Sequence, residues 1–143
     1  MKKFYLYLSY TGTLPFLFCA LCFIEGIQII PFLGSIDKVM SGYGLVIASF
    51  MAGSHWGLHL RLSGKWAIYL PVFSNVNATL LWGGFIFLSF KDLLIGFILT
   101  FIVLLLIDRK LFLDGLINRE YFRVRCSVTL IVISSLTLSV IYV

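Results

Sequence analysis

The feature of this sequence that most limits its fold is a set of long stretches without a charged residue. Five such stretches cover residues 4–24, 39–60, 66–90, 93–107 and 126–143. A helix rises about 1.5 Å per residue and the hydrocarbon core of a bilayer is about 30 Å thick, so roughly 20 apolar residues can cross it. The sequence therefore predicts an all-α fold, a polytopic membrane helix bundle of about five transmembrane helices forming a single domain.

The composition excludes the soluble classes of protein. Hydrophobic residues make up 61% of the 143 residues, charged residues make up 12%, and the mean hydropathy is +1.06. A soluble domain has roughly a quarter of its residues charged.

The stretch 93–107 is short for a span and needs a thinned bilayer or snorkelling flanking residues. Residues 108–125 then form the only sizeable loop, which we expect to lie among the lipid headgroups.

The positive charges predict an orientation. The net charge is +5, but the basic residues lie in the gaps between apolar runs, which is typical of a membrane protein and not of a nucleic-acid binder. With a cytoplasmic N-terminus, nine basic residues lie inside and only Lys38 and Lys91 lie outside. The inside set is Lys2, Lys3, Arg61, Lys65, Arg109, Lys110, Arg119, Arg123 and Arg125. The positive-inside rule then places the N-terminus inside and the C-terminus outside.

The second apolar stretch contains both histidines and a stripe of small residues. At 100° per residue, Ser49, Gly53 and Gly57 share one face, which predicts a close contact with another helix. His55 and His59 share a second face. This helix is therefore predicted to have one packing face and one polar face.

A histidine pair at this spacing has several uses in a membrane. It can ligate haem, hydrogen-bond a quinone carbonyl, carry a proton, or simply bond to a neighbouring helix. No acidic residue lies inside any of the five stretches, and no further ligand motif accompanies the pair, so no metal site is predicted. Quinone and haem remain open as cofactors.

Polar residues at similar depth in four stretches suggest where a site would form. With a helical rise of 1.5 Å per residue, Asn75 lies about 15 Å from the inner interface and His55 lies about 9 Å from it. Because polar groups are costly in lipid, we expect His55, Asn75 and Asn77 to share one cluster. The candidate polar or ligand residues are His55, Trp56, His59, Asn75, Asn77, Thr11 and Thr129.

Three segments resemble the domain-of-unknown-function 3429 family, which includes the mitochondrial transmembrane protein 69. SFMAGSHWG (residues 49–57) resembles the family core SFxGGxHWG, YTGTLPF (10–16) resembles GYxGxIPF, and EYFRVRCSVT (120–129) resembles WYxxLRxxLT. The residues that match motif positions are Pro15, His55, Trp56, Gly57, Arg125 and Thr129. This chain departs from the pattern at His59, where family members usually have Ala. The resemblance implies a small multi-span protein of a bacterial or mitochondrial inner membrane, and it implies no reaction.

The sequence favours a non-enzymatic role. It contains no catalytic constellation and almost no mass outside the membrane, which favours an accessory or assembly partner of a larger membrane complex, or a homo-oligomer. A membrane-embedded quinone, haem or proton site centred on His55 is the alternative, and a transporter or channel subunit is a third reading. The absence of an Arg- and Ser-rich segment before Phe4 favours a bacterial inner membrane over a mitochondrial one.

Overall fold

A computed structural model describes residues 2–143, and within them the chain is an all-α helical bundle. The helices are α1 (Lys2–Thr11), α2 (Leu14–Ile24), α3 (Ile36–His59), α4 (Lys65–Phe87), α5 (Phe90–Leu113) and α6 (Arg119–Tyr142). The strands β1 (Ile29–Ile30) and β2 (Gly34–Ser35) form a small antiparallel hairpin between α2 and α3.

The first predicted span is broken into α1 and α2. Pro15, in the first turn of α2, has no N–H to donate to the carbonyl of Thr11 and its ring clashes with that carbonyl, so the helix cannot continue through it. Two side-chain hydroxyls bond to backbone carbonyl groups at this break. The Thr13 hydroxyl donates to the Tyr10 carbonyl at 2.7 Å, and the Tyr43 hydroxyl on α3 donates to the Gly12 carbonyl at 2.8 Å.

Four segments are long and apolar enough to cross a membrane. They are residues Lys3–Ile24, Lys65–Phe87, Phe90–Leu113 and Arg119–Tyr142. Helix α3 has the same 24-residue length as α5 and α6. It carries four glycines and both histidines, and it packs against α2, α4 and α5. The protein is therefore a membrane-embedded helix bundle.

The core lies between α2, α3, α5 and α6. Its largest fully buried side chains include Phe16, Met40, Phe97 and Leu136. Phe16 on α2 contacts the ring of Phe101 on α5 edge-on, with centroids 6.2 Å apart. Each of these four helices contributes an apolar face to the same cluster.

The boundaries around residue 108 differ from the prediction. The supposedly short span 93–107 is part of the 24-residue helix α5, and α6 begins at Arg119, not at Cys126. The predicted interfacial loop 108–125 is thus mostly helical, and only residues 114–118 connect the two helices. The prediction was wrong because charged residues were taken to end a span, whereas Asp108 and Arg125 lie inside helices and are buried.

Candidate functional site

Asp108 is the centre of a buried ionic cluster. Its Oδ1 lies 2.7 Å from Nε2 of His55, and its Oδ2 accepts a hydrogen bond of 2.7 Å from Nε of Arg125. The exposed fractions of Asp108, His55 and Arg125 are 1%, 3% and 5%. An ionised carboxylate can only accept, so Nε2 is the nitrogen of His55 that carries the proton in this bond. We call these three residues the ionic cluster.

The helical hairpin of α5 and α6 places the two charges side by side. Asp108 and Arg125 lie nearly the same number of residues before and after the turn at 114–118, so antiparallel packing brings them to one level. Asp108 also continues the buried face of α5, which includes Phe101, Leu104 and Leu111. Helix α3 supplies His55, which bonds to the other oxygen of Asp108.

The cluster is stable in the bundle only because its members compensate one another. A single charge inside a bilayer costs several kcal/mol, and a buried ion without a partner is strongly destabilising. The carboxylate of Asp108 neutralises the guanidinium of Arg125. His55 forms a hydrogen bond with the second oxygen of that carboxylate. The expectation that no acidic residue lies inside a span was therefore wrong.

Arg125 faces an apolar cavity of about 400 Å³. Helices α1, α3 and α6 and the α1–α2 break supply its walls, with mostly apolar side chains such as Leu8, Ile47 and Val128. One Nη1–H of Arg125 points at the sulfur of Met51. A guanidinium has five N–H donors, so three of them have no partner among residues 2–143.

A second, more polar cavity of about 590 Å³ also borders the ionic cluster. His55 and Asp108 line it, together with Arg61 and Asn118. Asn118 caps α6, because its side chain accepts a 2.7 Å hydrogen bond from the Tyr121 N–H. Ser54 and Tyr121 line both cavities. The ionic cluster therefore contributes Arg125 to the apolar cavity, and His55 and Asp108 to the polar one.

The other predicted site residues are distributed around this centre. Thr129 is 3% exposed and lines the apolar cavity one helical turn beyond Arg125. Thr11 is exposed, and its hydroxyl bonds to the Leu8 carbonyl. Trp56 is 43% exposed, and its ring lies 4.8 Å from that of His59. Nδ1 of His59 bonds to the Trp56 carbonyl, so this pair lies outside the ionic cluster.

The two asparagines of α4 do not join His55. Asn77 accepts a 3.4 Å hydrogen bond from Thr100 on α5, while Asn75 is exposed. Thr100 lies eight residues before Asp108, about 12 Å along the helix. The predicted cluster of His55, Asn75 and Asn77 is thus replaced by two polar contacts at different depths.

The small residues that let helices approach are not the predicted ones. No atom of the described chain lies within 4 Å of a Cβ added at Gly53 or Gly57, and both glycines are exposed. A Cβ added at Gly44 would lie 2.5 Å from Cε2 of Phe97. The face of α3 that packs inside the bundle therefore contains Gly44, Ala48 and Ala52, the face that also carries His55.

Metal ligands do not gather at this site. Across residues 2–143, no group of three or more His, Cys, Asp or Glu side chains could hold a metal ion. The two cysteines of α2, Cys19 and Cys22, are both buried in the core.

Comparison with known proteins gives the family. The sequence matches the family described as protein of unknown function (DUF3429) over residues 1–141. The chain belongs to this family. No curated protein and no solved structure matches it.

The three segments that carry the family resemblance meet at the ionic cluster and the apolar cavity. Residues 10–16 supply the α1–α2 break, 49–57 supply His55 and Ser54, and 120–129 supply Tyr121, Arg125 and Thr129. Asp108 belongs to none of them, and sequence reasoning missed it. The signal that could have found it is the helical spacing of apolar residues on α5, which continues past Asp108 to Leu111.

Proposed function

We propose that this integral membrane protein binds one amphiphilic molecule taken from the bilayer. Its apolar part would fill the cavity of about 400 Å³, and an oxygen at its polar end would accept hydrogen bonds from Arg125. A quinone has this chemistry, because its ring carries both carbonyl oxygens and an isoprenoid tail. The observation that carries the proposal is a guanidinium, 5% exposed, that lines an apolar cavity and has three N–H donors without a partner among residues 2–143.

The energetics of hydrogen bonding support this assignment. A buried donor without an acceptor costs about 1–3 kcal/mol, and more for a charged group. Native structures rarely leave such donors without a protein group, water or ligand. A carbonyl oxygen of a bound molecule has two lone pairs and could accept from two of the free donors of Arg125. The cavity volume of about 400 Å³ also falls within the roughly 300–1,000 Å³ of small-molecule sites.

In this proposal Asp108 and His55 are positioning residues. The bond from Nε of Arg125 to Asp108 fixes the plane of the guanidinium. The bond from His55 fixes the carboxylate in turn. Asp108 takes only the Nε–H of Arg125, which leaves Nη donors for the ligand's oxygen.

Filling the cavity tests the proposal. Val128 lines the cavity, so Val128→Phe would occupy the space of the ligand's tail, whereas Leu130, two residues away, is 62% exposed and Leu130→Phe is the matched control. Native mass spectrometry and solvent extraction of the protein purified in mild detergent should find one bound quinone or lipid in the parent and the control. The Val128→Phe variant should lose it. Equal occupancy in all three proteins would refute a ligand in this cavity.

An accessory role in a larger membrane complex is the second candidate. The stripe of Ser49, Gly53 and Gly57 favours it, because Ser49 is half-buried, both glycines are exposed, and small residues on an open face admit a helix of another subunit. The same purification discriminates the two roles. A second protein present in stoichiometric amount would support the accessory role.

We propose the bacterial cytoplasmic membrane as the location, and the likeness to a mitochondrial relative remains a prediction.

A further inference from the structure

The outward side of α4 presents a continuous row of side chains with nothing packed on it. Its members are separated by alternating steps of four and three residues, the 3.5-residue repeat of helices that pack in parallel pairs. Every one of them is exposed. They are Ile68, Val72, Asn75, Thr79, Trp82 and Ile86, which we call the α4 seam.

The α4 seam lies opposite the face by which α4 joins the bundle. The buried residues of α4 are Leu70, Ser74 and Leu81, and at 100° per residue their mean direction is roughly 140° from that of the seam. Helix α4 is also the least buried of the four membrane-length segments. The seam therefore faces the hydrocarbon, not the rest of this chain.

Asn75 is the anomaly in this row. It is the eleventh residue of the 23-residue helix α4, so it lies near the middle of the span. Its carboxamide has no hydrogen-bond partner among residues 2–143, since Thr79 donates to its backbone carbonyl and not to its side chain. A polar group exposed to lipid at this depth is costly, and transmembrane helices relieve that cost by bonding to another helix.

We propose that the α4 seam binds the α4 seam of a second copy of this chain. Two copies inserted with the same orientation can pair around a two-fold axis along the membrane normal, and such an axis brings identical residues to the same depth. A carboxamide is self-complementary, because each Asn75 can donate from Nδ2 to Oδ1 of the other copy's Asn75. A single Asn within an apolar 3.5-residue repeat is also the feature that fixes register in two-stranded coiled coils.

The identity of the partner follows from this symmetry. Any other helix would need an unrelated polar group at the depth of Asn75, whereas a second copy supplies one by construction. Asn77 cannot take this role, because it points to Thr100 on α5. Ser74 and Leu81 lie on the buried side of α4, which packs against the bundle. The dimer would form on the other side of α4, so it would not contact the ionic cluster or the apolar cavity.

Cross-linking in vesicles tests the geometry. Thr79→Cys lies in the seam, and the matched control Leu80→Cys is 68% exposed but lies on another side of α4. In phosphatidylcholine vesicles an oxidant should cross-link the Thr79→Cys chain into dimers and leave the Leu80→Cys chain at the background of the parent, which contains Cys126. Equal cross-linking at both positions, or none at Thr79→Cys, would overturn the proposal.

Energy transfer between labelled copies tests the role of Asn75. Asn75→Ala should weaken the dimer about tenfold, since interhelical hydrogen bonds are worth about 0.6–2 kcal/mol each and 1.4 kcal/mol is tenfold. Asn75→Gln should keep part of the affinity, and Leu80→Ala should keep all of it. Asn75 is exposed and has no side-chain partner in its own chain, so Asn75→Ala should unfold at an unchanged temperature under monomeric conditions. Unchanged energy transfer in Asn75→Ala, or transfer in the parent no higher than random mixing, would disprove the pairing.

Discussion

Replacing Asp108 with Asn removes the charge that compensates Arg125 and keeps the shape of the side chain. The guanidinium, 5% exposed, then stays inside the bundle without a counter-ion. Removing one partner of a buried ion pair costs about 3–5 kcal/mol. The amide oxygen of Asn can still accept one hydrogen bond, so we expect a loss near 3 kcal/mol. Measured against a total stability of roughly 5–15 kcal/mol, this loss is large.

Reversible unfolding in mixed micelles, followed by tryptophan fluorescence, measures this loss. The matched control removes both charges at once, in a chain carrying Asp108→Leu and Arg125→Met. Replacing a buried ion pair by apolar residues of similar volume is often neutral or stabilising, so the double variant should be at least 2 kcal/mol more stable than Asp108→Asn. A loss below 1 kcal/mol in Asp108→Asn, or a double variant no more stable than the single one, would refute the reasoning that compensation holds these charges in place.

Two further predictions concern packing and orientation. Gly44→Ala should cost about 1–3 kcal/mol, because its Cβ would meet the buried ring of Phe97, while Gly53→Ala should be neutral or stabilising by up to about 1 kcal/mol; the same unfolding assay checks both, and the reverse order would contradict the assignment of the α3 packing face. A cysteine at Leu33, in the β1–β2 hairpin, should react with a membrane-impermeant maleimide on intact cells, whereas one at Ser63, between α3 and α4, should react only after permeabilisation. The opposite pattern would show that the bundle is inserted the other way.

The sequence predicted the bundle well because membrane insertion depends on local composition. The uncharged stretch 66–90 closely anticipates α4, and the stretch 39–60 anticipates α3 within a few residues. Motif resemblance also identified the family before any coordinates. Each of these inferences needs only the order of residues along the chain, since a lipid environment selects every apolar segment of sufficient length in the same way.

The site was predicted only in part. His55 was singled out from its depth and its motif, and it does bond to a neighbouring helix. Its partner was missed, because a lone Asp at the end of an apolar run is read as the end of a span unless its counter-charge is known. That counter-charge, Arg125, comes from a different helix and lies 17 residues further along the chain.

The sequence by itself determined that this chain is a membrane bundle and which family it belongs to. Only the tertiary structure decided where α5 and α6 end, which glycine packs against a neighbour, and that a carboxylate and a guanidinium lie inside the bundle. The physical reason is that hydropathy is additive along the chain, whereas the cost of a buried charge depends on what another helix places beside it. For Asp108, that neighbour turns a residue predicted to end a helix into the centre of the site.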